Sequence, residues 1–208
     1  MKIKQIYKDE FKFLKEKMLK QFLIQSLIFL LICIIIGILV STNEKLGSSL
    51  YEYINEVFKQ LDISPKPGLN MMVDLFLNNT RATAQIILLG LIPFLFLPIF
   101  SFVFNAVIIG AVVGMYPSMG FSITAALLGI IPHGIFELPA MIYSMALGIY
   151  LNISIIKKMV SKDKKNINMK EILLHIVKSY IFIIIPLLLI ASIIEAFITP
   201  IIITWALH

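Results

Sequence analysis

A single cysteine among 208 residues excludes an intrachain disulfide and any metal cage built from several thiolates, because both need at least two. Cys33 lies inside an apolar run and reads as a small buried or lipid-facing residue. Charge is scarce as well. Charged residues make up 14% of the chain against 59% hydrophobic, and the mean hydropathy is +0.95, a profile that excludes an ordinary soluble domain. Also missing are an H-E-x-x-H pair, a Gly-rich phosphate loop and a Ser-His-Asp order. The chain is therefore expected to be no enzyme and to carry no cofactor and no metal. The strongest local scarcity is in the middle. Between Ala82 and Ile156 there is no lysine or arginine, and Glu137 is the only acid.

What is present is a series of apolar runs long enough to cross a hydrocarbon core of about 30 Å. They predict an all-α polytopic membrane protein forming one membrane domain over residues 1–208, with about five transmembrane helices. The formal charge of +6 comes from lysines in blocks beside apolar segments, the pattern of cytoplasmic flanks and anionic lipid contact rather than of nucleic-acid binding. Residues 1–20 hold Lys2, Lys4, Lys8, Lys12, Lys15, Lys17 and Lys20, with Ile3, Tyr7, Phe11, Leu14 and Met18 at helical spacing. This reads as a cytoplasmic amphipathic flank, chiefly a solvated segment that sets orientation. The first span follows over 21–40.

Residues 42–81 carry more acids than bases and are expected outside. Their apolar residues keep a helical period that Pro65-Lys66-Pro67-Gly68 breaks, which predicts an external amphipathic helical hairpin closing at Asn78, Asn79 and Arg81. Within the apolar stretch 82–156, residues 82–116 are too many for a single helix and 121–156 supply another, which predicts a three-span core with turns near Pro98 and Ser101 and at Tyr116–Gly120. Gly110 and Gly114 form a small-xxx-small pair that admits a close helix neighbour, a second copy of the chain included. Asn105 is a buried amide that must find a partner. A basic cytoplasmic loop over 157–172 precedes the last span, 173–198, which carries Glu195 near its outer end. The N-terminus is then cytoplasmic, the C-terminus external, and Trp205 suits an interfacial anchor.

His133 and Glu137 stand four residues apart between Pro132 and Pro139. An ionisable residue inside a membrane segment is a functional-site hypothesis by default. Pro132 and Gly134 predict a helix broken at this point. If the fourth and fifth spans are neighbours, His133, Glu137 and Glu195 converge, with Asn105 as a further candidate. Three readings of the site compete: a structural polar knot, a proton- or substrate-binding site, and metal-assisted hydrolysis, the last weakened by the missing second histidine of a zinc motif.

The series Asn78-Asn79, Gly90, Asn105, Gly110-x-x-x-Gly114 and Pro132-His133-Gly134-x-x-Glu137-x-Pro139-Ala140 resembles the broad stage II sporulation protein M family over residues 70–156. The resemblance implies a multi-spanning bacterial or archaeal membrane protein. In the sporulation members the family role is to hold and localise peptidoglycan-degrading partners, and other members resemble accessory proteins of bacteriocin clusters or ABC transporters. The Pro-His-Gly-x-x-Glu form is closer to that wider group. The expectation is a non-enzymatic accessory or scaffold protein for a cell-envelope or export machine, with the lipid bilayer and other membrane or envelope proteins as partners. The alternative is a transporter or transporter subunit with its site at His133 and Glu137.

Overall fold

The computed structural model describes residues 3–60, 66–161 and 167–206, and its described residues form helices without strands. Six helices account for nearly all of them. Helix α1 spans Ile3–Ser41, α2 Glu44–Gln60, α3 Leu69–Leu89, α4 Pro98–Met115, α5 Ile123–Val160 and α6 Met169–Trp205. Four of them, α1, α4, α5 and α6, are long and apolar enough to cross a membrane. The chain is thus an all-α, multi-pass membrane protein.

The basic flank and the first span are one helix. α1 passes through a single π-helical turn at Leu14–Met18 without a break. The apolar stripe of the flank divides: Ile3, Tyr7 and Phe11 stay exposed, whereas Met18, with Glu10 and Phe13 from a neighbouring face, is buried against the bundle. Asn43 opens α2, its Oδ1 accepting the Leu46 N–H at 3.1 Å, which satisfies one of the free donors of a helix start. Leu50 and Tyr51 of α2 then cover Val40, Ala111 and Met115. The expected apolar stripe of this segment includes Leu61, which lies outside the described residues, as do residues 162–166 of the expected basic loop.

The second arm of the expected external hairpin differs. Asn78, Asn79, Thr80 and Arg81 form no junction but lie within α3. Their polar groups find partners without unwinding the helix. Thr83 Oγ1 donates to the Asn79 carbonyl at 2.8 Å, and the Tyr180 hydroxyl donates to the Thr80 carbonyl at 2.6 Å. At 21 residues α3 is about 32 Å long. It runs from one end of α6, where Gly68 shares a cavity wall with Pro200 and Thr204, to the other, where Leu88 and Leu91 face Leu173 and Val177. The helix expected from residue 82 therefore begins at 69, and it is not among the four that are long and apolar enough to cross a membrane.

The turn expected at Pro98 and Ser101 falls earlier, over residues 90–97. Pro98 instead opens α4, where its missing N–H costs nothing. Phe94 and Phe96 adopt left-handed backbone (φ 70° and 48°), a conformation disfavoured for bulky residues. The fully buried Asn152 holds the start of this turn, its Nδ2 donating to the carbonyls of Gly90 and Ile92.

Helix α5 is the centre of the bundle. Ala140, Tyr143, Ser144, Ala146, Leu147 and Leu151 are at most 2% exposed, and they face Ile184 and Leu188 of α6. The expected break at Pro132 and Gly134 is absent, since α5 is helical without interruption over 38 residues with Pro132 and Pro139 inside it. Membrane helices tolerate proline because neighbouring groups and small local adjustments compensate the lost backbone hydrogen bond. Lipid tails are as apolar as leucine, so close packing and polar contacts, rather than exclusion from water, hold such helices together. Two glycine crossings supply the close packing. A Cβ on Gly110 would lie 2.6 Å from the Cys33 carbonyl oxygen and one on Gly114 2.5 Å from that of Gly37, while a Cβ on Gly90 would lie 2.2 Å from that of Gly148. The Gly110 and Gly114 pair thus receives α1 of the same chain.

Candidate functional site

The structure brings His133, Glu137 and Glu195 together. One potential ligand atom from each lies within 4.8 Å of the others. His133 and Glu137 are one helical turn apart on α5, so their side chains share a face, and His133 Nε2 lies 3.9 Å from a Glu137 carboxylate oxygen. Glu195 arrives from α6, inside a π-helical turn at Ile194–Ile198. Such turns insert one residue into the helical register and recur at functional sites. One turn further on, Thr199 is buried and places its Oγ1 3.4 Å from His133 Nδ1. The two imidazole nitrogens therefore face different partners, a hydroxyl and a carboxylate. The side chains of His133 and Glu137 are 12% and 28% exposed, so the cluster opens at one edge.

Asn105 does not join it. Its Nδ2 donates to the Ser101 carbonyl at 2.7 Å, one turn back along its own helix. Of the other residues singled out from sequence, Gly134 is buried beside Ile130 and Leu138, and Pro132 and Pro139 are partly buried in α5. Below the cluster, Ala140, Ser144 and Gly148 continue its face as a buried stripe of small residues, and the Ser144 hydroxyl donates to the Ala140 carbonyl at 2.8 Å. Thr199 was not visible from sequence, where its only signal is a spacing of four residues from Glu195.

A second polar cluster, also unforeseen, lies at the end of the bundle that carries the lysine blocks. Glu10 of α1 is fully buried. Its carboxylate accepts from Ser179 Oγ at 2.8 Å and faces His175 Nδ1 at 3.0 Å, and the Tyr143 hydroxyl lies 3.0 Å from Ser179 Oγ. Phe13 stacks on the His175 ring, centroids 4.6 Å apart and planes within 5°. Three helices thus meet at one cluster, α1 and α6 on the carboxylate and α5 through Ser179. A polar recess beside it is lined by Lys12, Lys17, Tyr150, Lys157, Asn168 and Glu171 among others. The π turn at Tyr180–Ile184 follows Ser179 directly, as the π turn at Leu14–Met18 follows Phe13.

Between the clusters the bundle is filled. From Ser179 to Glu195, roughly 24 Å of helix rise, α6 presents Ile184, Leu188, Ala191 and Ser192 as fully buried side chains. They meet the small and aliphatic residues of α5, which leaves the two polar groups separate.

Comparison with known proteins adds one finding. The sequence model of the family described as "Stage II sporulation protein M" matches residues 26–200, most of the chain and all of the far cluster. No curated protein and no solved structure matches the chain.

Proposed function

The chain belongs to the stage II sporulation protein M family, and from that premise we propose that it is a non-enzymatic accessory or scaffold protein of a cell-envelope or export machine. In this reading the lysine-bearing end, with residues 1–20 and 157–172, faces the cytoplasm, and the end with His133, Glu137 and Glu195 faces outward. Its partners are other membrane or envelope proteins, with an ABC transporter one candidate.

One observation carries the reading: the filled bundle between the two polar clusters. A secondary transporter binds its substrate near the membrane midplane, at discontinuous helices that line a cavity. Here α5 runs unbroken, and Ile184, Leu188, Ala191, Ala146 and Leu147, all fully buried, occupy the space where such a cavity would lie. The polar clusters sit toward the two ends instead, and the one with His133 and Glu137 opens at an edge.

The test is reconstitution of the purified protein alone into vesicles, with pH-sensitive dye inside, beside co-purification with the products of neighbouring genes from the native membrane. The accessory reading expects a stable complex with one such product and no proton flux above empty vesicles. A flux that Glu137→Gln abolishes, in protein that remains folded and bound to its partner, overturns it in favour of a transporter.

A further inference from the structure

We propose that His133, Glu137 and Glu195 form a binding site for one divalent first-row transition cation of the Zn²⁺ type, clamping α5 to α6. The proposal rests on the geometry of the cluster and is independent of the accessory role.

The donor set fits such an ion. One imidazole and two carboxylates are ligands suited to Zn²⁺, and three protein ligands with further positions open are the usual arrangement outside closed structural sites. Ligand atoms around a tetrahedral Zn²⁺ stand roughly 3.4 Å apart. The present spread of up to 4.8 Å is within reach of a rotamer change in either glutamate, each of which has three rotatable bonds. His133 and Glu137 already share a helix face, and the π turn at Ile194–Ile198 carries Glu195, the ligand from the second helix.

Two further observations point to a cation rather than to a self-contained polar knot. The first is the absence of any compensating charge. There is no lysine or arginine between Ala82 and Ile156, the stretch that holds His133 and Glu137, and none from Ser179 to His208, the stretch that holds Glu195. Two carboxylates therefore converge beside a single imidazole, with no lysine or arginine from either of those stretches; the lysines of α5 and α6 lie at the opposite end of each helix. Among the described residues neither carboxylate accepts a hydrogen bond, and the 3.9 Å between Glu137 and His133 Nε2 is too long to be one. Carboxylates left in this condition in an apolar bundle are costly unless they take up a proton or a positive charge joins them, and a bound cation supplies that charge to both at once.

The second is the support behind the histidine. Thr199 is 5% exposed and sets its hydroxyl against His133 Nδ1. Metal-binding histidines usually engage their second nitrogen in this way, which fixes the ring and leaves the other nitrogen for the ion. Here Nε2 is the nitrogen on the Glu137 side.

The experiment uses the full chain in lipid nanodiscs, stripped with a chelator and titrated with Zn²⁺, with metal per chain read by elemental analysis. Co²⁺ serves as a second probe, because the strength of its visible absorption separates a four-coordinate site in protein from the six-coordinate aqueous ion. The expected result is one Zn²⁺ per chain, weakened about 100-fold or more in Glu195→Gln and His133→Ala and about 10-fold in Thr199→Val. Glu10→Gln, at the other cluster, keeps the full equivalent. Glu195→Gln and Thr199→Val are close in shape to the parent side chains, so the test survives if His133→Ala fails to fold. No saturable binding at micromolar Zn²⁺ would overturn the proposal, as would an equivalent that Glu195→Gln and Thr199→Val leave unchanged.

Discussion

The two ends of the bundle use the same residue types and treat them oppositely. At the lysine-bearing end one carboxylate, Glu10, is completely buried with Ser179 and His175 within hydrogen-bonding distance, and Tyr143 stands behind Ser179. At the far end two carboxylates share one histidine at 3.9 Å or more, accept no hydrogen bond among the described residues, and keep an open edge. Burying a charge is tolerable when its lone pairs are satisfied and expensive when they are not. The first cluster therefore has the form of a joint, tying α1 to α6 through α5. The second has the form of a site awaiting something positive.

The sharpest way to break this contrast is to remove the carboxylate from each end in turn. Glu10→Ala strands His175 and Ser179 in a buried pocket and should destabilise the protein by about 3–5 kcal/mol, the range for losing one partner of a buried charged pair. Unfolding in mixed micelles, followed by loss of helical circular dichroism, measures it. If Glu10→Ala and Glu195→Ala cost the same, the joint and the site are not different kinds of cluster.

The difference between the ends also governs what could be read from the sequence. His133 and Glu137 stand out because nothing else charged shares their stretch, and Glu195 follows once the topology places the end of the last span beside the fourth. Glu10 has no such background: it is one of three acids among seven lysines, and its partners lie more than 160 residues away. Only the fold can reveal that the face carrying Glu10 and Phe13, rather than Ile3 and Phe11, turns inward. The family resemblance was legible in the Pro-His-Gly-x-x-Glu element, and the helical membrane class in the apolar runs. The helix break at Pro132 and the junction at Asn78–Arg81 were misread for a common reason. Proline and clustered polar residues end helices in water, but in a bundle the tertiary partners decide, as Tyr180 does for the Thr80 carbonyl.

Ser179 offers a finer cut into the joint. Its hydroxyl donates to Glu10 and meets Tyr143, so Ser179→Ala removes a hydrogen bond to a buried charge, worth about 1.5–3 kcal/mol. A double-mutant cycle with Tyr143→Phe should show coupling, because both residues act through the same oxygen. Independent losses would mean that Tyr143 is held by packing alone. The glycine crossing at the same end gives a comparable figure by different physics. Gly90→Ala drives a Cβ to within 2.2 Å of the Gly148 carbonyl oxygen, so the two helices must separate. An overpacking cost of about 1–3 kcal/mol is expected. Zn²⁺ uptake at the far cluster should be unaffected if the two ends are as separate as the filled core implies.

The smallest expected effect is the most diagnostic. In chelator-stripped protein Glu195→Gln replaces a carboxyl group that accepts no hydrogen bond among the described residues, so it keeps the shape of the side chain while breaking no hydrogen bond. Stability should then stay within about 1 kcal/mol of the parent, or rise. With Zn²⁺ present the order reverses. An ion that binds only the folded chain stabilises it by about 2.7 kcal/mol at a hundred times its Kd, and the variant forgoes that gain. Parent and variant should thus unfold together without metal and apart with it, in the same micelles. A joint of the Glu10 kind predicts the opposite pattern, a large loss in both conditions and no response to the ion.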